Sequence, residues 1–103
     1  SPIKVENELV NSDLFEQSIV YGDNKPFLVA LLVLNEEKKS STDEEIKFEI
    51  EKINKKLSKI ENIKKYFTIN EKFSIENGML TPTLKLKRYK IIQKYKNELE
   101  KLY

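Results

Sequence analysis

The sequence contains no cysteine and no histidine. The first absence excludes a disulfide framework and a thiolate nucleophile, and the second removes the imidazole on which zinc sites and Ser-His-Asp chemistry depend. A long apolar run is also missing. The longest, residues 27–34, falls far short of the roughly 18 residues that a membrane-crossing helix needs. No basic-then-apolar signal segment opens the chain, so a cytoplasmic, reducing setting is the expectation. Charge of one sign is lacking too. Although 35% of the residues are charged, 19 basic and 17 acidic side chains leave a net +2, too little for a field that steers polyanions. Nucleic acid is therefore not an expected partner. With only two glycines and three prolines, each of those residues marks a place where the backbone has a special task.

A chain of 103 residues that is 39% hydrophobic can bury one modest core but hardly two, so residues 1–103 are read as a single domain. Pro2, Val5, Leu9 and Val10 fall at helical spacing, with proline tolerated in the first turn, and this opening helix reads as cut from something longer. Residues 15–21 alternate roughly, and residues 27–34 are apolar throughout, as in a strand covered on both faces. Gly22-Asp23-Asn24-Lys25-Pro26 supplies the turn of an antiparallel hairpin, expected at the centre of a sheet. Thr42 and Glu45 make a capping box, and Ile46, Ile50, Ile53, Leu57 and Ile60 draw one apolar stripe down a long helix from it. The stripe covers about two heptads, too few for a coiled-coil seam, so packing on the sheet is expected. Residues 66–69 suggest a third strand, and residues 73–75 a small ribbon that turns at Asn77-Gly78 and returns through residues 79–83. Tyr89, Ile92, Tyr95, Leu99 and Leu102 then mark a terminal amphipathic helix with both tyrosines in the core. The fold class is α+β, a small sheet with β-hairpins and packed helices.

Core building accounts for most of these residues but not for the segment from Glu76 to Arg88. It gathers Gly78, Pro82, Thr81, Thr83, Lys85, Lys87 and Arg88 at a turn-to-helix junction. Pro82 stiffens the loop and Gly78 sets its turn, which holds a long side chain such as Lys85 outward at a defined place. On local chemistry alone Lys85 is either an anion-binding side chain on a rigid loop or one of many solvated surface lysines. Position does not choose between the two.

The run Asn77-Gly78-Met79-Leu80-Thr81-Pro82-Thr83-Leu84-Lys85-Leu86-Lys87-Arg88 closely resembles the closing motif of AMP-forming long-chain acyl-CoA synthetases, in the adenylate-forming superfamily. Three further stretches are similar to the same family. Ser1-Pro2 with Glu6-Asn7 resembles its signature at the start of the C-terminal domain. Val20-Tyr21-Gly22-Asp23 with Phe27-Leu28-Val29-Ala30-Leu31 resembles its Gly-Asp hairpin. Glu100-Lys101-Leu102-Tyr103 resembles its terminal helix, which implies that the chain runs to the natural C-terminus.

The resemblance implies a mobile C-terminal lid of a two-part enzyme, whose larger N-terminal domain binds ATP and the fatty acid. That domain, the partner of this one, lies outside the chain. One lid pose serves the joining of the fatty carboxylate to AMP with release of pyrophosphate; the other serves transfer of the acyl group to coenzyme A. Lys85 aligns with the lysine that enters the site in the first step, as the catalytic residue. ATP, Mg2+ and coenzyme A are implied as bound mainly by the N-terminal domain, with peripheral membrane association through the full-length enzyme a further option. The hinge and the thioester-forming loop would lie before Ser1. Thr81 and Thr83 are expected to brace the loop, and Lys87 and Arg88 to cap or solvate the helix start. The sequence departs from the family pattern at one place: many members have glycine directly before the lysine, where this chain has Leu84.

Two other classes compete. Lys85, Lys87, Arg88, Lys90, Lys94 and Lys96 precede Glu98 and Glu100, and such a basic amphipathic helix suits a nucleic-acid backbone or an anionic membrane. The long capped helix suits a purely structural or regulatory interaction domain.

Overall fold

Seven residues of the apolar run, Leu28–Leu34, form the central strand on which the rest of the molecule is assembled, and Phe27 lies in the bend before it. The computed structural model describes residues 2–103, so the Ser1 half of the Ser-Pro signature lies outside the described residues. The elements follow in the order α1 (Pro2–Val10), β1 (Phe15–Tyr21), β2 (Leu28–Leu34), a 3-10 turn (Glu36–Lys38), α2 (Asp43–Asn54), a second 3-10 turn (Lys59–Glu61), β3 (Ile63–Ile69), α3 (Arg88–Lys94) and α4 (Lys96–Glu100). The fold is α+β, as expected.

The sheet has the order β1-β2-β3, with β1 antiparallel and β3 parallel to β2. Thus β2 alone is central, and β1 is an edge strand, not half of a central hairpin. Parallel pairing of β2 and β3 requires a crossover, which α2 supplies. Because strand side chains alternate, β2 sends Ala30, Leu32 and Leu34 to one face, where Val5 and Leu9 of α1 and Ile46, Ile50 and Ile53 of α2 cover them. It sends Val29, Leu31 and Val33 to the other, against Phe73, Met79, Ile91 and Leu99. Coverage on both faces is the reason the run has no polar positions. A bulge at Glu16, between the pairs Phe15–Leu34 and Gln17–Val33, turns Phe15 onto the α1–α2 face beside Val20.

The expected long helix stops early. Its start is as read: Thr42 accepts from the Glu45 N–H at 3.1 Å, while the Glu45 carboxylate accepts from the Thr42 N–H at 2.8 Å. It ends at Asn54, whose side-chain amide pairs with both backbone groups of Ile63, at 2.8 and 2.9 Å, and so takes the place of a strand neighbour. Ser58 then begins the second 3-10 turn, its carbonyl accepting from the Glu61 N–H at 3.0 Å and its hydroxyl donating to the Glu61 carboxylate at 2.9 Å. Leu57 still packs at the edge of the core, whereas Ile60 is 85% exposed and outside the stripe.

The terminal helix is likewise two short ones, broken at Tyr95, whose φ of −105° and ψ of 19° are not helical. Ile91 and Leu99 are fully buried and Tyr95 packs partly against them, but Tyr89 is 82% exposed and is not a core residue. The inward positions, Ile91, Tyr95 and Leu99, recur at four residues through the break, with Ile92 and Leu102 at their edge. The ribbon expected to turn at Asn77-Gly78 is absent; an isolated antiparallel bridge, Leu80–Leu86, forms farther on.

Candidate functional site

The loop that the sequence singled out is a short hairpin whose base is buried and whose tip is exposed. Met79, Leu80 and Leu86 pack into the cluster with Phe73, Ile91 and Leu99, which fixes both arms. Across the base, the Lys87 N–H donates to the Met79 carbonyl at 2.8 Å. At the tip, the Thr81 N–H donates to the Lys85 carbonyl and the Leu84 N–H to the Thr81 carbonyl, both at 2.8 Å. Pro82 occupies the first central position of that turn, for which its ring presets the backbone. Leu84 follows with a φ of 66°. A turn followed by one left-handed residue is the three-residue hairpin connection with a bulge, a position at which glycine is favoured. A non-glycine residue there bears roughly 1–2 kcal/mol of strain. The geometry therefore gives a physical reason for the glycine that the family pattern has before its lysine.

Thr81 braces this tip. Its hydroxyl accepts from the Lys85 N–H at 3.0 Å and lies 3.0 Å from the Thr83 hydroxyl. Both threonines thus serve the loop, as expected. The approach to the hairpin is stapled by Asn77, whose Oδ1 accepts from the N–H groups of Ser74 and Met79 at 3.0 and 3.1 Å. Gly78 has a φ of 79°, and a Cβ there would lie 3.1 Å from the Lys90 Nζ. Gln17 ties the same region to the sheet by a two-way bond with the Phe73 backbone, at 2.8 and 2.9 Å. Lys85 itself is exposed at the tip, and its ammonium takes part in no ion pair among the described residues. The result is a cation on a rigid support with no ion-pair partner among the described residues, a form suited to an anion brought from elsewhere.

Arg88 does not cap α3. It turns inward and forms a bidentate pair with Glu6, one carboxylate oxygen being 2.5 Å from Nη1 and the other in still closer contact with Nη2. Glu6 is only 6% exposed and also accepts from the Val20 N–H at 2.7 Å. This pair fastens α1, the edge strand β1 and the end of the hairpin at one point. It also occupies ladder groups of β1 that would otherwise be open to another strand. Sequence reasoning placed Glu6 in a signature and Arg88 at a helix start, and gave no sign that the two meet. Lys87 is solvated, as expected.

An open cleft of about 620 Å³ runs beside the hairpin, with Glu6, Val10, Gln17, Phe73, Ile75 and Leu84 among its lining residues. Among the described residues no group of three or more His, Cys, Asp or Glu is placed to hold a metal ion, and no helix is long and apolar enough to cross a membrane. The basic amphipathic helix of the competing reading does not form as one element, since α3 and α4 part at Tyr95 and Lys94 is paired with Glu71 at 3.4 Å.

Comparison with known proteins yields one family and a consistent set of relatives. The family model described as "AMP-binding enzyme C-terminal domain" matches residues 1–103. "Probable acyl-activating enzyme 16, chloroplastic" of Arabidopsis thaliana is 31% identical over 99% of this chain and 17% of its own length. "Long-chain-fatty-acid--CoA ligase 6" of Homo sapiens is 31% identical over 100% of this chain and 18% of its own. Among solved structures, the A-PCP didomain of carboxylic acid reductase from Segniliparus rugosus, in complex with AMP, superposes with a TM-score of 0.87 and 29% identity over 100% of this chain and 16% of that one. The chain thus spans less than a fifth of the length of each of these relatives.

Proposed function

The chain belongs to the AMP-binding enzyme C-terminal domain family, and on that premise we propose that it is the lid of a long-chain fatty acid–CoA ligase in which Lys85 is the catalytic residue of adenylation. Its partner is the N-terminal domain of the same enzyme, which in this reading holds ATP, Mg2+, the fatty acid and most of coenzyme A. The observation that carries the proposal is the placement of Lys85: an exposed ammonium, in no ion pair among the described residues, at the tip of a hairpin fixed to the core on both arms. The family and the fold shared with adenylate-forming relatives support it.

The chemistry follows from charge. A carboxylate oxygen attacks the α-phosphorus of ATP, the new C–O–P link forms, and the bond to pyrophosphate breaks. Both reactants are anionic, so the barrier is raised by repulsion, and negative charge spreads over the phosphoryl oxygens as the bonds exchange. An ammonium aimed at those oxygens from a support that need not reorganise stabilises the transition state more than the separated reactants. Lysine suits the task as a compact charge on a long stem, whereas arginine would bring a planar fork of different reach. The step as written transfers no proton, and Lys85 acts in it by charge.

In the intact enzyme, Lys85→Ala is expected to lower pyrophosphate release from ATP and fatty acid by on the order of a hundred- to a thousand-fold. Transfer from preformed acyl-adenylate to coenzyme A is expected to be largely spared, because the other lid pose serves that step. Unchanged pyrophosphate release would sink the proposal. The 103-residue chain by itself is expected to form no acyl-adenylate.

A further inference from the structure

Leu84 is at odds with both its backbone and its surroundings. Among the described residues the other non-glycine residue with a positive φ is Asn24, at 61° in the β1–β2 turn, and asparagine tolerates that region. Leu84 is branched and apolar, has a φ of 66°, and is 67% exposed. Among the described residues Leu84 joins neither apolar core cluster, and its side chain is left largely in water. Strain of this kind persists where surrounding structure over-determines it, and it clusters at functional positions.

We infer that Leu84 is a positioning residue for Lys85: when the lid closes for adenylation, its side chain seats in an apolar recess of the larger domain and fixes the approach of the lysine ammonium. The inference rests on the role proposed above for Lys85. Leu84 and Lys85 are consecutive at the tip of a turn closed by three hydrogen bonds to Thr81, so a wall that admits one must meet the other. The neighbouring surface has the same character, since Val10 and Ile75 line the cleft beside Leu84 and are 38% and 46% exposed. The three form an apolar patch along the cleft, at Leu84 one residue from Lys85 in the chain, fit for a partner that offers apolar walls beside an anionic centre. The larger domain is the occupant consistent with a chain spanning less than a fifth of its relatives. Glycine at this position would relieve the strain and lose the contact. Leucine keeps the contact at the expense of strain.

The test uses the intact enzyme and measures the two half-reactions separately for Leu84→Gly, Leu84→Asn, Leu84→Met and Lys85→Ala. Glycine and asparagine both suit a left-handed backbone, so the melting temperature is expected not to fall in either variant. Their pyrophosphate release is expected to drop about tenfold, as removal of a mostly buried apolar contact would produce, with the KM for ATP little changed. Acyl transfer from preformed adenylate to coenzyme A should stay within about twofold of wild type, well under one decade of rate. Leu84→Met, which restores apolar volume, should recover most of the adenylation rate. Adenylation by Leu84→Gly and Leu84→Asn at or above the wild-type rate would overturn the inference while leaving Lys85 untouched, provided Lys85→Ala is inactive. Equal losses in both half-reactions would overturn it as well, by reducing Leu84 to a structural residue. A fully active Lys85→Ala would instead remove the reading on which the inference stands.

Discussion

Arg88 lies three residues beyond Lys85, yet its guanidinium points into the fold and meets a carboxylate from the first helix. A buried carboxylate is tolerated only when its oxygens are satisfied, and here Arg88 and the Val20 N–H share the work. Arg88→Ala leaves Glu6 nearly buried and half satisfied, and is expected to lower the unfolding free energy of the 103-residue chain by about 3 kcal/mol. The low end of the range for such pairs applies because the Arg88 side chain is 32% exposed. Arg88→Lys should recover only part, as an ammonium cannot reproduce the fork. Urea denaturation monitored by circular dichroism reads the effect, and an unshifted midpoint would show that the pair contributes nothing. The pair was illegible in the sequence because its members are 82 residues apart and no periodicity links them. Lys85 was legible as an outward cation on a stiff loop, because Pro82 and Gly78 are local signals. Its reaction was not, since local chemistry leaves an outward ammonium as either an anion-binding side chain or a solvated lysine.

At the level of elements, local capping chemistry was a better guide than apolar periodicity. Thr42 and Glu45 bound each other's N–H groups as their spacing required, and Thr42→Ala is expected to cost about 1 kcal/mol of stability. Thermal denaturation of wild type and variant checks this, and an unchanged melting temperature would make the cap dispensable. The far end of α2 was also written locally, in Asn54 and in the Ser58-to-Glu61 spacing, but the isoleucine and leucine stripe ran on past those signals and suggested a longer helix. The terminal helix erred in the same way: its spacing placed Tyr89 in the core, but the buried positions are Ile91 and Leu99, with Tyr95 packed partly against them, and Tyr89 lies in solvent. The hairpin was expected at Asn77-Gly78, the pair most often found in tight β-turns. Instead Gly78 and the Asn77 side chain build the turn that leads into the hairpin, and the tip belongs to Pro82, Thr83 and Leu84. A dipeptide signals a turn without saying which strands it joins.

Across the whole molecule, the two ends of the chain's second core face are joined by a clasp between the first hairpin and the last residues. The Tyr21 hydroxyl donates to Glu100, Lys25 pairs with Glu100 at 2.6 Å, and the Tyr103 ring stacks on Phe27 at 4.8 Å while its hydroxyl donates to the Phe27 carbonyl at 2.7 Å. The bond to the Glu100 carboxylate, aided by desolvation, pushes the Tyr21 hydroxyl from 10.0 up to about 12. A raised value in the folded state means that the fold favours neutral Tyr21, so its contribution is full below pH 10.0 and is lost as pH rises through about 12. The stability difference between wild type and Tyr21→Phe, from urea denaturation at several pH values, should therefore shrink across that window; a constant difference would dissociate the clasp from Tyr21 ionisation. Sequence alone determined the α+β class, the first helix, the hairpin and the doubly covered strand, because each is encoded by the spacing of neighbouring residues. Tertiary structure decided which strand is central, where the second and last helices stop, that Glu6 and Arg88 hold the lysine hairpin in place, and that Leu84 stands strained beside Lys85. Those outcomes depend on groups far apart in the chain competing for the same space and the same hydrogen bonds, and that competition exists only once the chain has folded.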